Sequence, residues 1–345
     1  MSPHYLSRDI QVELAQIAQS IATPGKGILA ADEHAAIIES RFSPMDIQNN
    51  EENRRYYRQM LFRTKECSQY LSGIILCHET FYHKTDDDDI PFPRLLNEMG
   101  IMPGITVDRG LIILGGTDNE TTTQGLGGLE ERCREYKKNG AQFAKWRALI
   151  KISPTCPSQL AINENASKLA RYASICQQCA LVPIVEPEVS LEGDHDLEQC
   201  QRVTEQVLAT VYKALSDHHV YLEGTLLKPN IVTPGINCAK KYTIEQIAEA
   251  TVIAFRRTVP TAVPGIMFLS GGHNEENSTA YLNAINRVQL YKPWVLSFSY
   301  GRALQTSVLR AWKGNKNNSE QARKEFMRLT RQNGLASLGQ YEISA

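Results

Sequence analysis

Eight short apolar segments, separated by stretches with helical periodicity, constrain the fold of this chain more than any other feature of its sequence. Each has the length and composition of a buried β-strand. Strand and helix alternating in this way are typical of a parallel sheet whose faces are both covered. The segments are residues 27–31, 72–77, 104–107, 142–146, 181–185, 222–227, 265–269 and 294–298.

Helices are predicted between these strands at residues 52–62, 130–138, 197–216 and 244–258, and an amphipathic helix at about 8–22 precedes the first strand. The repeated order predicts an α/β fold, a (β/α)8 TIM barrel. An open doubly wound sheet is the alternative, although no Gly-x-Gly-x-x-Gly follows the first strand. Nothing in the composition divides the chain, so we predict a single domain over residues 1–345 with a short C-terminal tail over 335–345.

The overall composition excludes several classes of partner. With 42% hydrophobic residues, 22% charged residues and a net charge of −1, the chain shows no sign of binding nucleic acid or a membrane. Its longest apolar runs are far shorter than the roughly 20 residues that span a bilayer. Residues 1–8 lack the layout of a secretory signal, which predicts a cytoplasmic protein whose cysteines are free thiols.

Ionisable or phosphate-binding groups follow six of the eight predicted strands. In a parallel barrel the carboxyl ends of the strands meet at one mouth. Any one of these groups could serve only in an ion pair, but the whole set on one face indicates an active site. The residues are Asp32, Glu33, Lys145, Arg147, Glu186, Glu188, Lys228, Asn230, Ser270, Gly271, Gly272, Ser299, Gly301 and Arg302.

Two lysines at this mouth, Lys145 and Lys228, suggest a specific chemistry. Burial and a neighbouring cation both disfavour the protonated amine, so one of them can act as a neutral nucleophile. Schiff-base chemistry also needs an acid/base and a carboxylate that accepts a hydroxyl proton; Asp32, Glu186 and Glu188 are the candidates. Because the glycine-rich turns after the last two strands suit a phosphate, we predict a Schiff-base enzyme acting on a phosphorylated carbonyl compound.

Seven longer segments resemble those of the animal-type class I fructose-bisphosphate aldolases, and the likeness extends over about residues 14–339. The resemblance implies a lyase of glycolysis, gluconeogenesis and fructose metabolism. Such an enzyme cleaves fructose 1,6-bisphosphate reversibly to dihydroxyacetone phosphate and glyceraldehyde 3-phosphate, through a lysine Schiff base and with no metal or other cofactor. The segments are residues 24–33, 51–55, 120–126, 143–147, 184–188, 222–230 and 299–305.

The resemblance also implies a role for each catalytic candidate. Lys228 would form the Schiff base with the C2 carbonyl, Glu186 would be the acid/base with Glu188 in support, and Asp32 would accept the proton of the C4 hydroxyl. Lys145 would lie in the same pocket. The residues that would bind substrate, including the 1-phosphate, are Arg147, Ser270, Gly271, Ser299, Gly301 and Arg302.

The sequence departs from the family where the distal 6-phosphate would bind. The family usually has Ser-Thr-Gly-Ser-Ile-Ala-Lys-Arg where residues 34–41 have His-Ala-Ala-Ile-Ile-Glu-Ser-Arg, and commonly has a lysine in place of Thr106. His34, Ile37 and Thr106 therefore remove hydrogen bonds and a charge that a phosphate would use. An aldolase shifted toward fructose 1-phosphate is the alternative, unless His34 or Arg41 replaces the missing lysine.

The C-terminal tail and the partners complete the comparison with the family. Tyr341 is the only tyrosine of the tail, where the family ends in a tyrosine that helps to protonate the enamine. The resemblance implies a homotetramer, although Gly127 replaces an aspartate of the family's subunit contact, and it implies binding to cytoskeletal actin. A divergent paralogue with mainly a binding role is a further alternative, against which stands the presence of all the catalytic candidates.

Overall fold

The computed structural model describes residues 6–342 and contains eight parallel strands that close into a barrel. Around the barrel the first strand is followed by the second, third, sixth, seventh, eighth, ninth and tenth, and the fourth and fifth form a separate hairpin. The predicted TIM barrel is confirmed. The strands are β1 (Gly27–Ala31), β2 (Leu71–Leu76), β3 (Met102–Thr106), β4 (Leu111–Ile113), β5 (Thr121–Thr123), β6 (Phe143–Ile150), β7 (Val182–Val189), β8 (Leu226–Leu227), β9 (Gly265–Phe268) and β10 (Val295–Tyr300).

Helices pack around the barrel, and the four predicted between strands are confirmed to within one residue. Among residues 6–342, no helix is long and apolar enough to cross a membrane. All eight cysteines are buried free thiols, as predicted. The helices are α1 (Arg8–Ile21), α2 (Ala35–Phe42), α3 (Glu51–Phe62), α4 (His78–Phe81), α5 (Phe92–Glu98), α6 (Leu129–Lys138), α7 (Gln159–Gln178), α8 (Leu197–Asp217), α9 (Ile244–Thr258), α10 (Glu275–Arg287), α11 (Thr306–Trp312) and α12 (Ser319–Ala336).

Helix α1 covers the amino-terminal end of the barrel. Its apolar residues Leu14, Ile17 and Ile21 form one buried cluster with strand residues such as Ile28 and Met267. Burying each such side chain stabilises the fold by roughly 1.5–3 kcal/mol. Because this end is filled with apolar groups, polar chemistry is confined to the opposite, carboxyl end of the strands.

Strand lengths differ from the prediction where tertiary contacts override local composition. Strands β6 and β7 pair along their whole length and are longer than predicted, because their inward charged residues continue the ladder. Strand β8 is shorter, since Leu222–Gly224 forms a 3-10 turn against α1. Gly224 permits that contact: an added Cβ would lie 2.7 Å from the Cβ of Leu14. The hairpin of β4 and β5 was not predicted.

The predicted end of the last helix at Asn333-Gly334 is wrong, because α12 continues to Ala336. Both residues serve in packing. The Asn333 amide donates to the Leu329 carbonyl at 2.9 Å, and an added Cβ on Gly334 would lie 2.7 Å from the Tyr70 ring. After the helix, the backbone N–H of Tyr341 donates to the Asn283 side chain at 3.0 Å. The chain terminus, where a family tyrosine was expected to be missing, lies outside the described residues.

Candidate active site

A cavity of about 1040 Å³ opens at the carboxyl ends of the barrel strands. Every residue predicted to be catalytic or substrate-binding lines it, and so does Glu33, whereas Asn230 and Gly272 of the residues predicted at this mouth do not. The predicted catalytic and substrate-binding residues are Asp32, Lys145, Arg147, Glu186, Glu188, Lys228, Ser270, Gly271, Ser299, Gly301 and Arg302.

The alternation of side chains along β6 and β7 directs the charged groups into this cavity. Successive side chains of a strand point to opposite faces, so Lys145 and Arg147 share one face of β6, and Glu186 and Glu188 share one face of β7. The opposite face of β6 carries Trp146, whose ring stacks on the core with its centroid 5.5 Å from that of Tyr172 on α7. Packing of the apolar face therefore sets the direction of the charged one.

Glu186 lies between the two lysines. Its Oε1 is 3.0 Å from the Lys228 Nζ, and its Oε2 is 3.3 Å from the Lys145 Nζ. Lys145 also contacts Asp32, with its Nζ 2.8 Å from Oδ2, and lies 3.9 Å from the Asp108 carboxylate. Two of these contacts, Lys228 with Glu186 and Lys145 with Asp32, are short enough for direct proton transfer, whereas Glu186 Oε2 makes no hydrogen bond within residues 6–342.

The charges of these buried groups shift their pKa values. Burial alone would raise the pKa of Asp32, but Lys145 and Lys228 outweigh burial and lower the pKa from 3.8 to about 2. Burial likewise favours a higher pKa for Glu186, and the two lysines lower it. Burial favours a lower pKa for Lys145, while Asp32 and then Glu186 raise it above its ordinary value. At neutral pH both carboxylates are therefore ionised and Lys145 is charged.

A second ion pair and an acidic residue not predicted from the sequence surround this centre. Arg147 Nε lies 2.6 Å from Glu188 Oε2. Asp108 accepts hydrogen bonds from the Thr106 hydroxyl at 3.2 Å and from the Arg147 backbone N–H at 3.4 Å. Its position just after β3, like that of Asp32 just after β1, was the available signal in the sequence.

The last turn of β10 and the loops after β9 and β10 form the proximal end of the cavity, which we define as Ser270, Gly271, Ser299, Gly301 and Arg302. Gly271 has a φ of 55°, which favours glycine. The guanidinium of Arg302 donates to the Gly271 carbonyl and joins the two loops. The buried Ser299 hydroxyl has no hydrogen-bond partner within residues 6–342. This end therefore presents main-chain groups, a free hydroxyl and a cation, which together suit a phosphate.

The distal end of the cavity lies at the carboxyl ends of β1 to β3 and includes His34, Ile37, Arg41, Thr106 and Arg109. Arg41 is engaged by Glu33, with Nη1 2.5 Å from Oε1, and the Thr106 hydroxyl by Asp108. Arg109 is exposed, and its guanidinium pairs with no carboxylate in the described part of the chain. Sequence reasoning did not identify Arg109. Of the two arginines named at this end, Arg41 is paired with Glu33 and Arg109 has no carboxylate partner within residues 6–342.

The sequence is similar to known proteins over nearly its whole length. The profile of the family "Fructose-bisphosphate aldolase class-I" matches residues 13–345. Fructose-bisphosphate aldolase C of Homo sapiens is 60% identical over 343 residues, which cover 98% of this chain and 93% of that protein. The muscle-type enzyme of Lethenteron camtschaticum is 57% identical over 345 residues, covering 99% and 95%.

A solved structure agrees along the whole chain. It is the fructose-bisphosphate aldolase from Plasmodium falciparum in complex with TRAP and a small-molecule inhibitor. The two chains superpose with a TM-score of 0.97 at 48% identity, and 99% of each is covered.

Proposed function

Since the chain belongs to the class I fructose-bisphosphate aldolases, we propose that it performs the family's carbon–carbon cleavage through a Schiff base on Lys228. Its activity is that of a fructose-bisphosphate aldolase, a lyase of glycolysis and gluconeogenesis. The observation that carries the assignment of the lysine is the position of Glu186, 3.0 Å from the Lys228 Nζ and 3.3 Å from the Lys145 Nζ.

The first half of the reaction forms the iminium. Glu186 takes a proton from the Lys228 ammonium, and the neutral amine adds to C2 of the ketose to give a carbinolamine. The proton then passes from Glu186 to the C2 hydroxyl, which leaves as water. Lys145 remains charged and holds Glu186 and Asp32 in place through its two contacts.

The second half breaks the C3–C4 bond. Asp32, ionised at neutral pH, accepts the proton of the C4 hydroxyl, and the electrons of the bond move into the iminium to leave an enamine. Glyceraldehyde 3-phosphate departs. As Asp32 gives up the proton that it accepted, one proton is added to the enamine at C3, and addition of water to the resulting iminium releases dihydroxyacetone phosphate and restores Lys228. Glu188 supports Glu186 by holding the neighbouring Arg147.

Borohydride reduction tests the nucleophile. Borohydride added with dihydroxyacetone phosphate should trap a stable adduct on the peptide that contains Lys228, since the iminium is reducible. Lys228→Met should abolish the adduct, and the surface control Lys137→Met should not. A metal chelator should leave cleavage unchanged. An adduct on another lysine, or loss of cleavage with the chelator, would contradict the assignment.

A homotetramer is proposed from the family and is supported by an exposed apolar patch. Ile113 is 62% exposed and pairs with Thr121 in the hairpin of β4 and β5. The neighbouring Glu120 carboxylate accepts from the Ser158 backbone N–H at 2.9 Å, which brings the hairpin beside Leu160, itself 51% exposed. Exposed apolar groups gathered in this way are typical of an interface.

Light scattering tests the tetramer. Ile113→Asp should lower the measured mass of the assembly, because a charge would be buried at the interface. Ile236→Asp is the matched control, since Ile236 is 65% exposed and lies outside the hairpin. Equal masses for the two variants would remove the hairpin from the interface. Cytoplasmic location is proposed as the sequence predicts, and cell fractionation tests it. Binding to actin is proposed on the resemblance alone, and co-sedimentation with actin filaments tests it.

A further inference from the structure

We propose that Arg58 and Gln305, two buried side chains outside the cavity, position the Asp32 carboxylate by holding the backbone at the end of β1. The inference rests on the proposed role of Asp32 as the proton acceptor. It assigns both residues as positioning residues, since neither lines the cavity.

Arg58 reaches from α3 to both sides of Asp32. Its side chain is 1% exposed. The Nε donates to the carbonyl of Ala31 at 3.1 Å, and the Nη2 donates to the carbonyl of Glu33 at 2.5 Å. Because these carbonyls belong to the residues on either side of Asp32, one rigid, planar guanidinium fixes both ends of the segment that carries the carboxylate.

Gln305 holds the same segment from the other side. The two N–H groups of its amide Nε2 face the Ala30 carbonyl at 3.0 Å and the Glu33 carboxylate at 3.0 Å, and the Gly301 carbonyl lies at a longer 3.3 Å. The end of β1 is thereby tied to the loop after β10, which forms part of the proximal end of the cavity. This link fixes the position of Asp32 relative to the proposed site of the 1-phosphate.

The sheet itself does not hold Asp32. Pairing of β1 with β2 ends at Ala31, which is opposite Leu76, and pairing with β10 ends at Leu29. Asp32 follows the last ladder position, and the chain then turns into α2. A misplacement of about 1 Å at a reacting group can cost about a hundredfold in rate. The hydrogen bonds from Arg58 and Gln305 therefore restrain the backbone beside Asp32, where strand pairing no longer does.

A purely structural role is the competing explanation, because a buried arginine also stabilises a fold. Helix α3 offers a matched control in Arg54, one turn before Arg58 and 9% exposed. Its guanidinium donates to both oxygens of Glu79, at 2.8 and 2.7 Å, and to Asn49 at 2.9 Å, and within residues 6–342 it makes no hydrogen bond to β1. Arg54 therefore resembles Arg58 in burial and hydrogen bonding but differs in what it holds.

The test compares Arg58→Met, Arg58→Lys and the control Arg54→Met with Asp32→Asn as the reference. Two quantities are measured: kcat for cleavage of fructose 1,6-bisphosphate, and the fraction of Lys228 trapped by borohydride with dihydroxyacetone phosphate. We expect Arg58→Met to lower kcat about a hundredfold while trapping is unchanged, and Arg58→Lys to restore part of the rate. Arg54→Met should keep kcat close to that of the unmodified protein.

Three results would overturn the inference. They are unchanged kcat in Arg58→Met, an equal loss in Arg54→Met, and loss of trapping in parallel with kcat. If Arg58→Met does not fold, Gln305→Met must show the same separation of kcat from trapping, and its absence there also overturns the inference. Normal kcat in Asp32→Asn would instead refute the role of Asp32 and leave the Lys228 assignment intact.

Discussion

The proximal and distal ends of the cavity differ in the groups that they present to a substrate. At the proximal end, glycines and a buried serine hydroxyl present the main chain of two loops, joined by Arg302. At the distal end the groups are side chains on or near the surface, and one of the cations, Arg41, is already paired with Glu33. Main-chain groups survive most substitutions, so the proximal end depends on fewer side chains than the distal end, where every group is a side chain.

The contrast matters for substrate choice because only the distal phosphate distinguishes fructose 1,6-bisphosphate from fructose 1-phosphate. Hydrogen bonds to a charged group contribute roughly 1.5–3 kcal/mol each, so two or three of them decide the preference. The proposed catalytic groups Asp32, Lys145, Glu186 and Lys228 line the same cavity. Their roles should be independent of which phosphates are present.

Asp32→Asn has the largest expected effect. It tests whether the catalytic roles are independent of which phosphates the substrate carries. Loss of a general base costs roughly 10²–10⁴-fold in kcat. The loss should be equal for the two substrates, and trapping of Lys228 should persist, since iminium formation does not use Asp32. Steady-state kinetics with both ketoses measures it. A variant that kept kcat and raised only KM would show that the base lies elsewhere.

Arg302→Ala removes the cation of the proximal end. We expect kcat/KM to fall about 10-fold to 100-fold, by the same factor for both substrates, because both carry the 1-phosphate. Arg310→Ala, at an exposed position on α11, is the control. If the bisphosphate were affected far more than the monophosphate, the two ends of the cavity would have been assigned the wrong way round.

Restoring the family's distal groups should increase the preference for the bisphosphate. The triple variant His34→Ser, Ile37→Ser and Thr106→Lys adds donors and a charge, and the ratio of kcat/KM for the bisphosphate over fructose 1-phosphate should rise about tenfold. The monophosphate value serves as the internal control. An unchanged ratio would mean that other groups already bind the distal phosphate and would remove the basis for a shifted preference.

Arg109→Ala has the smallest expected effect. An exposed ion pair is worth about 0.2–1 kcal/mol, so the ratio should fall by up to roughly fivefold while fructose 1-phosphate is cleaved as before. A matched loss for both substrates would place Arg109 outside the distal subsite. The expected fall in the ratio is larger at low salt, where exposed charges are less screened.

Sequence reasoning succeeded where the signal is local. The short apolar runs located the strands, and the ionisable residues at their ends, among them Lys145, Arg147, Glu186 and Glu188, were predicted to meet at one mouth and do line one cavity. It failed where packing decides. Asn333-Gly334 has the composition of a helix end, yet α12 runs through it because Gly334 lies against Tyr70.

Periodicity and composition were enough to predict the order of strands and helices and the charged side chains at strand ends, because they act over a few neighbouring residues. Long-range contacts place Glu186 between two lysines, pair Arg41 with Glu33, and bond Gln305 to Ala30, 275 residues earlier in the chain. Such contacts exist only after the barrel closes, and closure depends on the packing of the whole core rather than on any local pattern.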